Sequence, residues 1–267
     1  MLSFDGLAQD LSRRAGSFDL LASLIPRILA KPRIRLETNS VFSSETVSYL
    51  SESVRWIIQS GIRRLDVNFA HIPAWTSSSL NRFKKEIARV GEFFESRYER
   101  RGDVPWIGFY EQPGRGVFQC SAGRTQMALS AQGELWGCAL FPHYFSNRNG
   151  SKEYKKYCFG PVDSFIENAG SIYSRKMANY ADLRMDCYST PDRSCLMCPE
   201  VEYCGLCPIA AALTTGKIGR IPAWACQMGK IKRIQKRLLL SQFERKDQKI
   251  KKCHQIKSPY LESLAPS

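Results

Sequence analysis

The first hundred residues switch repeatedly between two hydrophobic periods. "SFDLLASLIPRILA" carries Phe18, Leu21, Ile25 and Ile28 at helical spacing, with Ser17 placed as an N-cap and Pro26 predicting a kink or an early stop. "RIRLETNSVF" reads as a strand. "ETVSYLSESVRWIIQSG" then puts Val47, Leu50, Val54 and Ile57 on one helical face, ended by Gly61. In "RRLDVNF" the period drops to two, through Leu65, Val67 and Phe69, and Leu80, Phe83, Ile87, Val90 and Phe94 mark a long helix after it. With "LSFD" as a first short strand, three strand–helix units predict a parallel α/β arrangement. Three strands leave open edges, so this half is expected to aggregate or to pair with another chain.

From about residue 102 the pattern is looser, with loop-like "RRGDVPW" and "EQPGRG". "TQMALSAQGELWGCAL" predicts a hairpin turning at Ala131-Gln132-Gly133, with the return strand ending on Cys138. "IENAGSIYSRKMANYADL" predicts a helix, and "PIAAALTT" a short one just after Cys207. The stretch from Asp186 to Cys207 is rich in turns.

Charge bears on partners. Net charge is +14, and much of the excess lies in the last forty residues, where Lys and Arg alternate with Ile and Leu. Without an aromatic stacking platform, this reads as an amphipathic helix with Ile231, Ile234, Leu238 and Phe243 packed inward, rather than as a nucleic-acid surface. No run of apolar residues is long enough to span a membrane, and the first residues lack an apolar secretory segment, so a cytoplasmic protein is expected.

Cysteine usage sharpens the picture. Nine of the ten cysteines lie between Cys120 and Cys226, and residues 1–119 have none. A dense local cluster in a reducing compartment points to metal rather than to disulfides. "CLMCPEVEYCGLC" spaces Cys195, Cys198, Cys204 and Cys207 as C-x2-C-x5-C-x2-C, with Cys226 downstream. Paired C-x2-C turns suit tetrahedral zinc, whereas three close thiolates plus a distant one suit an iron–sulfur cluster. The count fits two sites better than one.

Cys120, twelve residues, Gly133, four residues, Cys138, a gap, the 195–207 cluster, a gap and Cys226 together resemble the SPASM domain. That domain carries the auxiliary clusters of radical S-adenosylmethionine enzymes that modify peptides and proteins. The resemblance covers roughly residues 117–230 and departs from the family's pattern in the two-residue gap between Cys204 and Cys207. It implies one [4Fe-4S] cluster on Cys195, Cys198, Cys204 and Cys226. A second would sit on Cys120, Cys138 and Cys207, its fourth position open or filled by Cys187 or Cys158. "LSFDG…DLSRR…GSFD" is similar to the fourth-strand region of the radical SAM barrel. By motif, Ser3 and either Arg13 or Arg14 would help hold S-adenosylmethionine, with surface charge as the plain alternative for the arginines.

The resemblance thus implies a partial radical SAM (β/α) barrel (residues 1–116), a cysteine-rich SPASM-like domain (117–230) and a basic helical tail (231–267). The C-x3-C-x2-C loop of radical SAM chemistry is absent from this sequence, so S-adenosylmethionine is expected only if that part is supplied. The function expected is the cluster-bearing portion of a peptide or protein maturase, with a peptide or protein substrate and a further chain supplying the missing barrel half. Ala139 after Cys138 disfavours the sulfatase-maturing branch, whose members carry an acidic base there. The alternative is a non-catalytic cluster- or zinc-binding module that binds a peptide or a partner protein. His71, His143 and His254 are too scattered for a catalytic zinc set, and Gly114-x-Gly116 lacks a phosphate-loop context.

Overall fold

The computed structural model describes residues 1–103, 105–107, 120–183, 188–201 and 204–254. Cys187, Gly114, Gly116, the expected 116/117 boundary and residues 255–267 lie outside them. The chain divides into two compact units: Met1–Asn68 with Asn81–Glu111 and Lys230–Ser267, and Phe69–Leu80 with Gln112–Gly229.

The first unit is built on β1 (Leu2–Ser3), α1 (Gln9–Ser12), α2 (Ser17–Leu29), β2 (Glu37–Phe42), α3 (Leu50–Gln59), β3 (Arg64–Phe69), α4 (Ser77–Arg101) and β4 (Trp106–Ile107). The strands form one sheet in the order β1-β2-β3-β4, with β1 parallel to β2 and β3 parallel to β4. The fourth strand is only two residues long, too short to show a period in the sequence. The helical faces read from the sequence are the buried ones: Val47, Leu50, Val54, Ile57, Phe83, Ile87, Val90 and Phe94 are all fully enclosed. Each contributes roughly 1.5–3 kcal/mol by leaving water.

Two local features differ from expectation. Helix α2 runs on to Leu29 with Pro26 inside it; Pro26 is exposed, so water can take the carbonyl its missing N–H leaves unbonded. Ser17 is the first helical residue rather than the cap. Gly16 precedes it with φ +77°, and Asp10 caps from a distance, its Oδ1 accepting the Phe18 N–H at 2.8 Å. Those backbone donors, that of Phe18 foremost, hold the Asp10 carboxyl below the usual carboxylate range.

On β2 the buried residues are Thr38, Ser40 and Phe42, and on β3 they are Leu65 and Val67. The opposite face is polar. There Arg64 pairs with Glu37 at 3.5 Å, and Asn68 donates to Asn39 Oδ1 at 2.8 Å.

In the second unit β5 (Ala128–Leu129), β6 (Glu134–Trp136) and β7 (Gly160–Pro161) form an antiparallel sheet in that order. The β5–β6 turn closes as expected, with Gly133 at φ +78° donating its N–H to Ser130 O, but β6 ends two residues short of Cys138. Around it stand α5 (Leu140–Phe145), α6 (Lys152–Tyr157), α7 (Val162–Glu167), α8 (Ala169–Asp182) and α9 (Pro208–Thr215). Trp136, Phe141, Phe145, Tyr157 and Tyr180 fill an aromatic core.

The last described helix, α10 (Ala223–His254), corrects the expected inward face. Leu239 is buried and Phe243 lies 4.9 Å from the Tyr98 ring, whereas Ile234 and Leu238 are about half exposed. Within the first unit the buried residue of this helix is Leu239, next to Leu238, because packing set the helix's rotation where the sequence offers apolar residues on several sides. No helix among the described residues is long and apolar enough to cross a membrane.

Candidate metal centres

The sequence between α8 and α10 wraps its cysteines with short backbone bonds. Cys195 N–H donates to Tyr188 O at 2.9 Å, Cys198 N–H to Cys195 O at 3.0 Å, and Cys204 N–H to Val201 O at 3.1 Å. Ser194 starts a 3-10 turn, Cys195–Met197, by accepting the Leu196 N–H. Ser189 bridges both Ser194 and Arg220, tying this loop to the approach of α10. Cys195, Cys204 and Cys226 pack against one small core of Tyr188, Ala211, Ile221 and Ala225. Burial, and after it the nearness of Cys204, Cys226 and Cys198, pushes the Cys195 thiol up to about 11.

Cys120, Cys138 and Cys207 belong to the other core, against the aromatic cluster. Burial pushes the Cys207 thiol up to about 11. The N–H groups of Ala210 and Ile209 act against that rise, and Cys138 and Cys120 add to it. Cys138 is likewise raised by burial, with the Leu140 N–H opposing and Cys120 adding. Cys207 also caps α9, its Sγ accepting from Ala210 N at 3.5 Å. The seven thiols therefore fall into two sets, one of four and one of three. Among the described residues, no three His, Cys, Asp or Glu side chains stand close enough together to hold a single metal ion. A cluster takes one thiolate per iron and so spreads its ligands further apart, and an all-thiol donor set fits it.

Cys158 is buried in the same aromatic core as the three-thiol set. Its Sγ accepts from Gly160 N at 3.3 Å, and burial pushes its thiol up, with the Gly160 N–H opposing and Glu134 adding. The Tyr180 hydroxyl accepts from Gly137 N at 2.8 Å and donates to Tyr157 O at 2.5 Å, and burial holds it well above the usual phenol range. Cys187 lies outside the described residues.

At the expected cofactor site, Ser3 ends β1 and is exposed. Arg13 is committed locally: its Nε donates to Asp5 Oδ2 at 2.8 Å and its Nη2 to Asp5 Oδ1 at 3.4 Å. Asp5 is almost fully buried and also accepts from Ser12 Oγ at 2.6 Å and Val41 N at 2.7 Å, fastening the loop after β1 to β2. Arg14 is exposed. The sequence reading missed Asp5 as the organising group. The signal available was an acid two residues past Ser3 with Ser12 and Arg13 one short helix later. The His71 ring lies 5.2 Å from that of Trp224.

No protein-family model and no curated protein sequence matches the chain. Among solved structures it is similar to native anSMEcpe with bound AdoMet, at a TM-score of 0.57 and 12% identity, over 90% of this chain and 66% of that one. It is also similar to the same protein with bound AdoMet and Kp18Cys peptide (TM-score 0.57, 12% identity, 90% and 67% coverage), and with Cp18Cys peptide (0.56, 12%, 90% and 68%). The chain thus spans about two thirds of the length of anSMEcpe. At this identity the likeness is one of fold: the chain shares the mixed α and β architecture of anSMEcpe.

Proposed function

We propose that this chain is the auxiliary-cluster-bearing portion of a radical SAM-type enzyme that modifies a peptide or protein. The observation that carries the reading is the separation of seven thiols into two sets, on a fold shared with AdoMet-bound anSMEcpe. Cys195, Cys198, Cys204 and Cys226 would hold one [4Fe-4S] cluster, and Cys120, Cys138 and Cys207 the other, its fourth position open or filled by Cys187 or Cys158. Bound there, each cluster supplies a one-electron redox couple.

The chain's own part is to set the surroundings of those thiolates. The N–H groups of Ala210 and Ile209 favour the Cys207 thiolate, and that of Leu140 the Cys138 thiolate. The apolar cores exclude water around both sets, and these two levers tune a cluster's potential. AdoMet is proposed only for an assembly that includes a C-x3-C-x2-C loop. There Ser3 and Arg14 would face the cofactor, and Arg13 would act through Asp5. A peptide substrate is proposed on the strength of the peptide-bound neighbours. The paired C-x2-C spacing of Cys195, Cys198, Cys204 and Cys207 supports a second reading, a non-catalytic cluster- or zinc-binding module that binds a peptide or a partner protein.

Iron, acid-labile sulfide and zinc per chain, after anaerobic reconstitution, test this. About eight irons with matching sulfide are expected. Cys226→Ser should lose about half. One or two zincs with little iron would overturn the redox reading.

A further inference from the structure

Helix α10 carries its uncovered residues along one line. Leu239 is buried and Phe243 meets the Tyr98 ring, and the opposite side holds Lys230, Ile234, Arg237, Leu238, Ser241 and Arg245 at intervals of three and four residues. Ile234 is 54% exposed and Leu238 50%, with Lys230, Arg237 and Arg245 exposed beside them. Arg245 folds back onto the line, its Nε donating to Ser241 O at 3.1 Å. Among the described residues, none of these three cations makes an ion pair. From Lys230 to Arg245 the helix has six basic residues and one acid, Glu244, at the far end. Helix α4 of the same unit shows the ordinary solvated face: from Asn81 to Arg101 every exposed residue is polar.

We propose that this stripe of α10 is the docking surface for an acidic, amphipathic helical segment of a peptide or partner protein. The inference rests on the peptide-binding part of the function proposed above and on no cluster. Ile234 and Leu238, one turn apart, match the spacing at which a helix laid along them places its own apolar anchors. Carboxylates on that helix would meet Lys230, Arg237 and Arg245 at the rim, where opposite charge speeds encounter and fixes register. The two apolar residues make a seam only about 40° wide around the helix, at 3.6 residues per turn. A helix that lies on a bilayer needs a far wider apolar arc, and single-stranded nucleic acid calls for aromatic platforms, which this stripe does not present.

The probe is a fluorescent, helix-forming peptide of about three heptads, with leucines four residues apart and glutamates beside them. It is titrated into the full chain at low salt and followed by anisotropy. The same peptide with lysine for glutamate, and a scrambled peptide, serve as controls. Only the glutamate peptide is expected to bind, about tenfold more weakly at moderate salt. Arg237→Glu and, separately, Leu238→Gln should each weaken it about tenfold. Both positions are exposed, so the melting temperature should hold. Arg124→Glu, the same charge change at an exposed residue of the other unit, should leave affinity within about twofold. Equal binding of either control peptide would overturn the docking surface, as would Arg124→Glu weakening binding as much as Arg237→Glu. Duplex DNA or phosphatidylserine vesicles binding where the glutamate peptide does not would overturn it as well. Iron and sulfide content is read separately, so a failure here leaves the proposed clusters standing, and a zinc-loaded chain leaves the docking surface standing.

Discussion

Gly137 lies one residue before Cys138, and the Tyr180 ring fills the space its Cβ would need. A methyl group there falls well inside contact distance of Tyr180 Cε1, 2.6 Å from Cζ and 2.8 Å from the Gly123 nitrogen. Carbon contacts settle at about 3.5–4.0 Å, so something must move. The ring has little freedom to do so. Its hydroxyl is bonded to Gly137 N and Tyr157 O, and Phe141, Phe159 and Tyr157 stand 5.2, 5.3 and 5.5 Å away, centroid to centroid. Gly123, at φ +69°, closes the remaining side, where a Cβ would stand 2.7 Å from Tyr180 Cγ. Overpacking costs about 1–3 kcal/mol and a stranded buried hydrogen bond about 1–3 more, so Gly137→Ala should destabilise by about 2–6 kcal/mol. Urea unfolding of the metal-free chain, followed by near-ultraviolet circular dichroism, reads this directly. Tyr180→Leu in the same chain should recover part of the loss, with a coupling of about 1 kcal/mol or more. A Gly137→Ala chain within about 0.5 kcal/mol of the unaltered one, or no coupling to Tyr180, would refute the reasoning.

Asp5→Ala strands the Val41 N–H and the Arg13 guanidinium on a nearly enclosed site, and should cost about 3–5 kcal/mol by the same urea assay. Arg13→Ala should cost less, about 1–2 kcal/mol, because that guanidinium is partly open to water; an unchanged midpoint would mean Arg13 is not the partner that matters. The metal-free chain should lose stability as pH rises from about 9 to about 11. Cys195 and Cys207 are pushed up to about 11 when folded, so the folded chain holds protons there that the unfolded chain releases. A melting temperature that rises across that window would contradict the burial of these thiols.

Much of the fold was legible because helix and strand periods are local. Val47 through Ile57 and Phe83 through Phe94 announce a buried face within one turn of chain, and the structure buries those residues. The hairpin was legible from Gly133, which the turn requires at positive φ. Helix α10 was less so: Ile231, Ile234, Leu238 and Leu239 offer several apolar stripes, and only the packing that buries Leu239 chose among them. Strand β4, two residues long, carries no period at all.

The sequence by itself determined that thiols dominate the second half, that they come in clustered and distant members, and that strands and helices alternate in the first. Tertiary structure alone decided that Cys158 is buried in the aromatic core, that Arg13 answers to a buried Asp5, and that Tyr180 occupies the space left by two glycines. The reason is physical. Periodicity is written in neighbours a few residues apart, whereas burial and charge proximity depend on residues that meet only after folding, such as Gly137 and Tyr180, forty-three positions apart.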